Sequence, residues 1–366
     1  MSGLPCRLRQ RPEDLGSLLN ISPASRGPAF RRVGSLAGIM LLLAVGVCGC
    51  STPSPFGRYK AARTLHLAPD GRLIVADQGT GRNDGAVVAV DTINNRWTLL
   101  LRELPSTQNS GQAHADLAGP SGAAMAPNGT VCAVIGDATK KNAGFATLRC
   151  TDGLVVDLEA FQARSRLPSN PYDVVSDGRE GWYVSDGAAN NVLHVNRAGE
   201  VVVVARFPSL AATGLGGRDG QGVPTGLTLG PDRTLYVALY GGAPFDGPPA
   251  AVISLAPDAA TRPTLVKPKL LALMHHPIAL ALAPDGLAVV DYGGAPGERG
   301  KGELRLLRGV GSDAPADTGS LEQTIPSRLL ASGLDGPTGL ARLPDGRWAV
   351  AESGHNRLKI LAGSRG

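Results

Sequence analysis

VPTGLTLGPDRTLYVALYGG, residues 223–242, and GPTGLARLPDGRWAVAESGH, residues 336–355, follow one pattern. When Pro224 is aligned with Pro337, both stretches read Pro-Thr-Gly-Leu, then Pro-Asp, then a short apolar run. A Pro-Asp-Gly type of turn between two apolar runs predicts a β-hairpin. Proline presets its backbone angle, aspartate bonds the nearby backbone and glycine adopts a positive φ. The chain therefore repeats one hairpin.

The same turn recurs six times along the chain. Its central residues are Asp70, Asn128, Asp177, Asp232, Asp285 and Asp345, at intervals of 58, 49, 55, 53 and 60 residues. Repeats of about 50 residues with three or four strands each predict an all-β, six-bladed β-propeller with NHL-like blades. A closed ring buries each blade against the next and removes exposed sheet edges. The last unit stops without a fourth strand, and residues near Phe56–Ala62 are the candidate for supplying it.

Composition and charge do not favour a nucleic-acid partner. The chain has 366 residues, 43% of them hydrophobic, with 49 glycines and 28 prolines, which suits many short strands joined by turns. The formal net charge is +5, but six arginines fall within residues 1–50, and residues 51–366 are close to neutral. Because no basic cluster marks the predicted propeller, we expect no nucleic-acid binding.

The N-terminal segment is typical of an exported protein. The apolar run VGSLAGIMLLLAVGVCG at 33–49 follows two arginines and leads to Cys50, which precedes Ser-Thr-Pro-Ser. This pattern resembles a bacterial lipobox, whose cysteine becomes the lipid-bearing first residue of the mature protein. We predict a lipoprotein-type signal peptide at 1–50, a linker at 51–60 and the propeller at 61–366. The protein is then expected to be a monomer, extracytoplasmic and anchored in the bacterial cell envelope; an uncleaved membrane anchor and simple secretion are the alternatives.

Two cysteines remain within the predicted propeller. Cys132 and Cys150 lie in two apolar runs separated by a turn region, so neighbouring antiparallel strands would bring them side by side. An oxidising compartment then favours a disulfide between them. Two buried thiols that happen to lie close together are the alternative.

Residues 61–362 resemble the ScyD/ScyE family of six-bladed, NHL-like propellers, some of which are encoded beside scytonemin pigment genes. The resemblance is carried by three segments: LRELPSTQNSGQAHADLAGPSGAAMAPNG, LVVDLEAFQARSRLPSNPYDVV and GVPTGLTLGPDRTLYVALYGGAPFDGPPAAVISL. It implies the propeller fold and an extracytoplasmic setting, and it brings no established catalytic residues. Asp173 stands where the family pattern more often has glycine, and Cys132 and Cys150 are not part of that pattern.

Polar residues cluster at one predicted face of the ring. Inner strands start, and second strands end, at this face, and five of the six second strands end in or near a carboxylate. These carboxylates either accept backbone N–H bonds in the turns or supply oxygen ligands to an axial Ca²⁺. Asn170, Asp173 and Asp186 are the candidate Ca²⁺ ligands. His275 and His276 are candidates for proton transfer or for a quinone-cofactor site, against the alternative of two partly packed imidazoles.

No motif in the sequence specifies one chemistry. We therefore expect a non-catalytic binding or scaffold module that presents the loops of one face to a small molecule or a partner protein, with lipid on Cys50 as its contact with the membrane. A Ca²⁺-dependent, lactonase-like hydrolase is the alternative function, because axial metals in such propellers polarise a carbonyl and activate water. A sugar dehydrogenase that uses a quinone near His275 is a third hypothesis.

Overall fold

The computed structural model describes residues 59–109, 117–138, 144–207, 221–242, 250–256, 267–294, 300–310, 325–353 and 355–363. The predicted signal peptide with Cys50, and residues 51–58 of the predicted linker, lie outside these ranges, so lipidation and export stay predictions. Among the described residues, no helix combines the length and the apolar character that crossing a membrane requires.

The described residues confirm the six-bladed propeller, since they form six antiparallel sheets whose strands follow one another in chain order from the inner strand outwards. Blade 1 contains β1 (Ala62–Leu67), β2 (Leu73–Asp77), β3 (Gly85–Asp91) and β4 (Arg96–Leu104). A small hairpin, β5 (Thr107–Gln108) and β6 (Leu117–Ala118), leads to blade 2, which contains β7 (Pro120–Met125), β8 (Val131–Ile135), β9 (Thr147–Cys150) and β10 (Val155–Asp157).

A short helix, α1 (Leu158–Ala163), joins blade 2 to blade 3. Blade 3 contains β11 (Pro171–Ser176), β12 (Trp182–Asp186), β13 (Asn191–Val195) and β14 (Val201–Arg206). Blade 4 contains β15 (Pro224–Leu229), β16 (Leu235–Leu239), β17 (Ala250–Leu255) and β18 (Lys269–Met274). Blade 5 contains β19 (Pro277–Ala283), β20 (Gly286–Asp291), β21 (Gly302–Arg308) and β22 (Ser327–Leu334). Blade 6 contains β23 (Pro337–Arg342), β24 (Trp348–Glu352) and β25 (Arg357–Leu361).

The repeated turn adopts the geometry that its sequence predicts. The carboxylates of Asp70, Asp232 and Asp345 each accept a bond at 3.0 Å from the backbone N–H two residues later. The residue after the aspartate has a positive φ, 83° at Gly71 and 69° at Arg233. Aspartate bonding and a left-handed residue together close each hairpin.

The inner strands pack into a closed ring, in which β23 contacts β1 as each other inner strand contacts the next. Glycines at the third position of three inner strands permit this approach. A Cβ on Gly226 would lie 2.6 Å from the carbonyl oxygen of Ile278, and one on Gly339 would lie 2.6 Å from that of Arg63. Only glycine fits so near a neighbouring backbone. Six clusters of buried apolar residues, one at each junction between blades, form the core.

The prediction that Phe56–Ala62 supplies the missing strand of blade 6 needs correction. Ala62 is the first residue of the inner strand of blade 1, where it pairs with Asp77, and Tyr59–Ala61 belong to no strand. Phe56–Arg58 lie outside the described residues. Within the part of the chain that the structure describes, blade 6 has three strands.

The predicted disulfide joins β8 and β9. Cys132 and Cys150 are directly opposite each other in the antiparallel pair, with their Cα atoms 4.0 Å apart, and their sulfur atoms are bonded. The covalent link lies within blade 2, in the apolar cluster at its junction with blade 3.

Candidate functional site at the mouth of the central channel

The carboxylates at the ends of the second strands hold the loops around them. Asp77 accepts from the backbone N–H groups of Lys60, Ala61 and Gly79 at 3.0, 2.7 and 3.1 Å. Asp291 in blade 5 makes the same three kinds of bond. The position is therefore structural: one carboxylate fixes both the loop that leads into the inner strand and the turn that follows the second strand.

The three candidate Ca²⁺ ligands, in blade 3 and the link before it, each make different contacts. Asp186 is fully buried, and its two oxygens accept from the hydroxyl of Ser169, the amide of Gln162 and the N–H of Asn170, among others. The side-chain oxygen of Asn170 accepts from the N–H of Asp137 at 2.9 Å. No group of three or more His, Cys, Asp or Glu side chains among the described residues is placed to hold a metal ion. Calcium binding stays a prediction that no observation of these residues supports.

His275 and His276 differ in how far they are buried. His275 is exposed, whereas His276 is 8% exposed and stacks on the ring of Tyr240 with 4.9 Å between the ring centres. Nδ1 of His276 lies 2.9 Å from the carbonyl oxygen of Tyr240. Their backbone N–H groups both bind Asp291. This arrangement matches the packed alternative for His276, and a role of the two imidazoles in proton transfer or at a quinone stays a prediction.

A backbone bulge occurs near the start of every inner strand. In each blade, the pairing register shifts by one residue after the first residue of the inner strand. Such a bulge bends the strand and changes the direction of the side chain on the extra residue. The extra residue is Ser121, Tyr172, Ile278 or Thr338 in four blades, and it lies within residues 63–64 in blade 1 and 225–226 in blade 4.

Arg63 and three tyrosines gather where the inner strands begin. The guanidinium carbon of Arg63, in blade 1, is 5.2 Å from the ring centre of Tyr172, in blade 3, which is within cation–π distance. The hydroxyl of Tyr172 extends to 3.5 Å from the carbonyl oxygen of Thr338, in blade 6. Tyr240 and Tyr292, each directly after a second strand, meet edge to face at 6.0 Å. Blade 3 is next to neither blade 1 nor blade 6 in the ring, so its contacts with them form across the ring axis. These side chains therefore form the mouth of the channel.

Burial raises the pKa of two of the mouth tyrosines. It raises the pKa of Tyr172 above the ordinary phenol value, although the positive charge of Arg63 acts in the opposite direction. Burial likewise raises the pKa of Tyr240, and the neighbouring Tyr292 adds to the effect. At neutral pH, the phenols of Tyr172 and Tyr240 are therefore protonated and lie beside one guanidinium, an arrangement suited to an anionic group with a flat body.

A second contact joins blades 1 and 3 within the channel. Nε2 of His66 lies 2.9 Å from Oδ1 of Asp173, and Oδ2 of Asp173 accepts from the backbone N–H of Leu227, in blade 4, at 2.9 Å. Asp173 is 2% exposed. Blade 2 lies between the two partners, and its inner strand offers only small side chains, Ser-Gly-Ala-Ala, at this level. The small residues leave room for His66 to reach Asp173.

Sequence reasoning placed Asp173 at this face but missed Arg63, Tyr172, Tyr240 and Tyr292. Tyr172 stands in the Asn-Pro-Tyr segment, and the other two tyrosines follow runs that end a second strand, LYVAL and LAVVD. The position directly after the second strand is glycine or a small polar residue in blades 2, 3 and 6. An aromatic residue there, in two successive repeats, was the available signal.

A cleft of about 710 Å³ lies on the side of the ring, away from the mouth. It is bounded by β10, α1 and β14, and Phe161, His194 and Glu200 contribute to its lining. His194 is held by the carboxylate of Asp177, with 3.0 Å between Nε2 and Oδ2. None of the mouth residues lines this cleft.

Comparison with known proteins shows the fold alone. No protein-family model and no curated protein sequence matches the chain. Among solved structures, an auxiliary nutrient binding protein from Bacteroides thetaiotaomicron is 10% identical, with a TM-score of 0.52 over 83% of this chain and 69% of its own. Hydrazine synthase from Kuenenia stuttgartiensis is 14% identical, with a TM-score of 0.50 over 87% of this chain and 99% of its own. The chain is a six-bladed β-propeller of NHL-like type, and the named activities remain those of its neighbours.

Proposed function

We propose that the protein is a non-catalytic binding module of the bacterial cell envelope that takes an anionic, flat ligand at the mouth of its channel. The ligand is a small molecule or an exposed group of a partner protein with the same chemistry. The observation that carries this proposal is the meeting of Arg63 with Tyr172, Tyr240 and Tyr292, contributed by four different blades. Guanidinium and aromatic faces bind planar anions by paired hydrogen bonds and stacking.

The acidic residues that were candidates for chemistry support a binding role. Asp77, Asp186 and Asp291 are engaged by backbone N–H groups, and Asp173 is bonded to His66 and to the backbone of Leu227. They hold the loops of the mouth in place. Preorganised loops around a donor-rich centre reduce the ordering that a ligand must pay for on binding.

Export and lipid attachment belong to the same proposal, on the sequence of residues 33–50. Membership of the ScyD/ScyE family is part of the same proposal. Of the three segments that carry the resemblance, the first corresponds to the link from β4 to β7, the second to the link from β9 to β11, and the third to blade 4. Replacing Cys50 with Ala should abolish incorporation of labelled fatty acid and release the protein from the membrane fraction. Unchanged labelling would contradict lipid attachment at this residue.

The binding proposal is tested with a panel of aromatic carboxylates, using benzylamine as the cationic control, in calorimetry and melting experiments on the purified protein. We expect carboxylates to bind and benzylamine not to bind. Arg63→Gln should raise the dissociation constant at least tenfold, which corresponds to a loss of about 1.4 kcal/mol of binding free energy. Arg72→Gln is the matched control, because Arg72 follows the turn at the other end of β1 and pairs with Asp70. Equal affinity in both variants would overturn the assignment of the mouth.

A further inference from the structure

The inner strands of the ring alternate between two kinds. In blades 2, 4 and 6, the second residue of the inner strand is serine or threonine and the third is glycine. The hydroxyl groups donate to backbone carbonyl groups at the start of the next inner strand. The three bonds run from Ser121 to Pro171 at 2.8 Å, from Thr225 to Pro277 at 3.4 Å and from Thr338 to Arg63 at 2.9 Å. Each of these blades therefore fixes the start of the blade that follows it.

Blades 1, 3 and 5 carry large side chains at the second position of the inner strand. These are Arg63, Tyr172 and Ile278, which provide a cation, a phenol and an alkyl group. The incoming bonds reach the carbonyl of Arg63 itself and that of Pro171, directly before Tyr172. The backbone that carries the guanidinium and the phenol is thus held in place before a ligand arrives, which reduces the ordering that binding requires.

Arg63 and Tyr172 place two donor groups next to each other. The guanidinium carbon lies 5.2 Å from the centre of the Tyr172 ring, and the two side chains also interact at the phenol oxygen. The hydroxyl of Tyr172 is 3.5 Å from the carbonyl oxygen of Thr338. This distance is long, because O–H···O bonds usually measure about 2.7 to 2.8 Å. A ligand oxygen beside the guanidinium can therefore accept the phenol proton in a shorter bond.

The other side of the mouth is lined by apolar and aromatic side chains. Ile278 and Tyr240 belong to one buried cluster, and Tyr172 and Tyr292 pack against it. Tyr240 and Tyr292 follow the second strands of blades 4 and 5, and blade 4 is opposite blade 1 in the ring. A ligand with its anionic group at Arg63 therefore extends its flat body toward these rings, which favour stacked or edge-to-face contact with an aromatic ligand.

We propose that the ligand of the mouth is an aromatic carboxylate with a hydroxyl group ortho to the carboxylate, that is, a ligand of the salicylate type. Its carboxylate binds Arg63, and its ortho oxygen accepts from the hydroxyl of Tyr172. The ortho position follows from the adjacency of the two donors, since a para oxygen lies at the opposite end of the ring from the carboxylate. The ortho hydroxyl donates to the ligand's own carboxylate and keeps its lone pairs for the phenol. The inference rests on the proposed function and adds the place of a second ligand oxygen.

Calorimetry with benzoate, salicylate and 4-hydroxybenzoate tests the place of this oxygen in the full chain. All three compounds are flat and carry one negative charge at neutral pH, and a chelator prevents metal complexes of salicylate from contributing. We expect salicylate to bind about fivefold more tightly than either of the other two. This factor is the effect of one additional hydrogen bond of about 1 kcal/mol.

Tyr172→Phe removes the donor and keeps the ring. In this variant, the ratio of the salicylate affinity to the benzoate affinity should fall to about one. Tyr183→Phe is the matched control, because Tyr183 is a tyrosine of the same blade that is 3% exposed and whose ring contacts His194. The control variant should retain the ratio of the parent protein.

The outcomes separate this inference from the proposed function. Equal affinity of the parent protein for benzoate and salicylate, or an unchanged ratio in Tyr172→Phe, would overturn the inference while the mouth remains a site for aromatic carboxylates. A preference for 4-hydroxybenzoate over salicylate would also overturn it, because the second donor would then lie at the far end of the mouth. Absence of binding by all three carboxylates would overturn both the inference and the proposed function.

Discussion

Blades 4 and 6 begin their inner strands with Pro-Thr-Gly, whereas blade 3 begins with Pro-Tyr-Asp. In blades 4 and 6, the threonine hydroxyl donates to a backbone carbonyl of the next blade, from Thr225 to Pro277 at 3.4 Å and from Thr338 to Arg63 at 2.9 Å. Blade 3 makes the corresponding link from its second strand, because the hydroxyl of Ser185 donates to the carbonyl of Thr225 at 2.6 Å.

The difference separates residues that maintain the ring from residues that make the mouth specific. Because Ser185 supplies the link to blade 4, the bulged position of blade 3 is available for Tyr172, which extends across the axis. Asp173 likewise replaces the glycine of the repeat and forms bonds to two other blades. Repeated residues therefore support the fold, and departures from the repeat are where function is to be sought.

Changing a repeated glycine should have the largest effect. Gly226→Val would place side-chain atoms against the carbonyl oxygen of Ile278, which lies only 2.6 Å from an ideal Cβ. We expect urea unfolding to show a loss of about 3 kcal/mol, at the upper end of the cost of overpacking. Gly129→Ala is the control, since its Cβ would meet nothing within 4 Å and only its φ of 86° opposes the change; its cost should be about 1 kcal/mol. Equal losses of unfolding free energy in the two variants would show that the close approach of neighbouring inner strands does not require glycine at this position.

Restoring the repeat in blade 3 should destabilise the protein rather than improve it. Asp173→Gly removes a buried carboxylate that accepts from His66 and from the N–H of Leu227. Losing charged hydrogen bonds in a buried site should lower the free energy of unfolding by about 2 kcal/mol. A double-mutant cycle with His66→Gln should give a coupling energy of about 1 kcal/mol between the pair. A variant as stable as the parent would mean that Asp173 contributes nothing to holding the ring.

The equivalent carboxylates of blades 3 and 6 should respond to pH in opposite directions. Burial raises the pKa of Asp186, and the bonds from Ser169 and Asn170 only partly offset it. Burial also acts to raise the pKa of Glu352, but the N–H of Asp335 and the charges of Arg357 and Lys359 outweigh it, so this pKa is lowered. A lowered folded-state pKa contributes stability that is lost as pH falls below about 4.5, whereas a raised one contributes stability that is lost as pH rises.

Urea unfolding at neutral and acidic pH measures this contrast. The destabilisation caused by Glu352→Gln should shrink as the pH is lowered, because the parent then loses the contribution of its own carboxylate. The destabilisation caused by Asp186→Asn should grow over the same change, because the parent gains stability on protonation. Parallel pH profiles for the two variants would contradict the assignment of opposite shifts.

The features that the sequence predicts are those that repeat locally. Asp70 and its counterparts predict the hairpins, and the spacing of Cys132 and Cys150 predicts their pairing across two strands. The mouth could not be predicted in the same way, because its contacts join blades far apart in sequence. His66 and Asp173 are 107 residues apart, and their contact depends on the small side chains of the blade between them. Such a contact depends on ring closure and leaves no local spacing to recognise.

Adding calcium should have the smallest effect on stability. The experiment compares Asp173, which departs from the repeat, with Asp186, which occupies the repeated carboxylate position. Both oxygens of Asp173 and of Asp186 already accept hydrogen bonds, and the side-chain oxygen of Asn170 accepts from Asp137. An ion bound there would have to replace these donors, so adding Ca²⁺ to about 1 mM after chelation should leave the melting temperature unchanged. A ligand present at a hundred times its dissociation constant would instead stabilise the protein by about 2.7 kcal/mol. A rise in melting temperature that disappears in Asn170→Ala with Asp173→Ala would show that these residues can exchange their structural bonds for a metal, and lactone hydrolysis would then become the activity to assay.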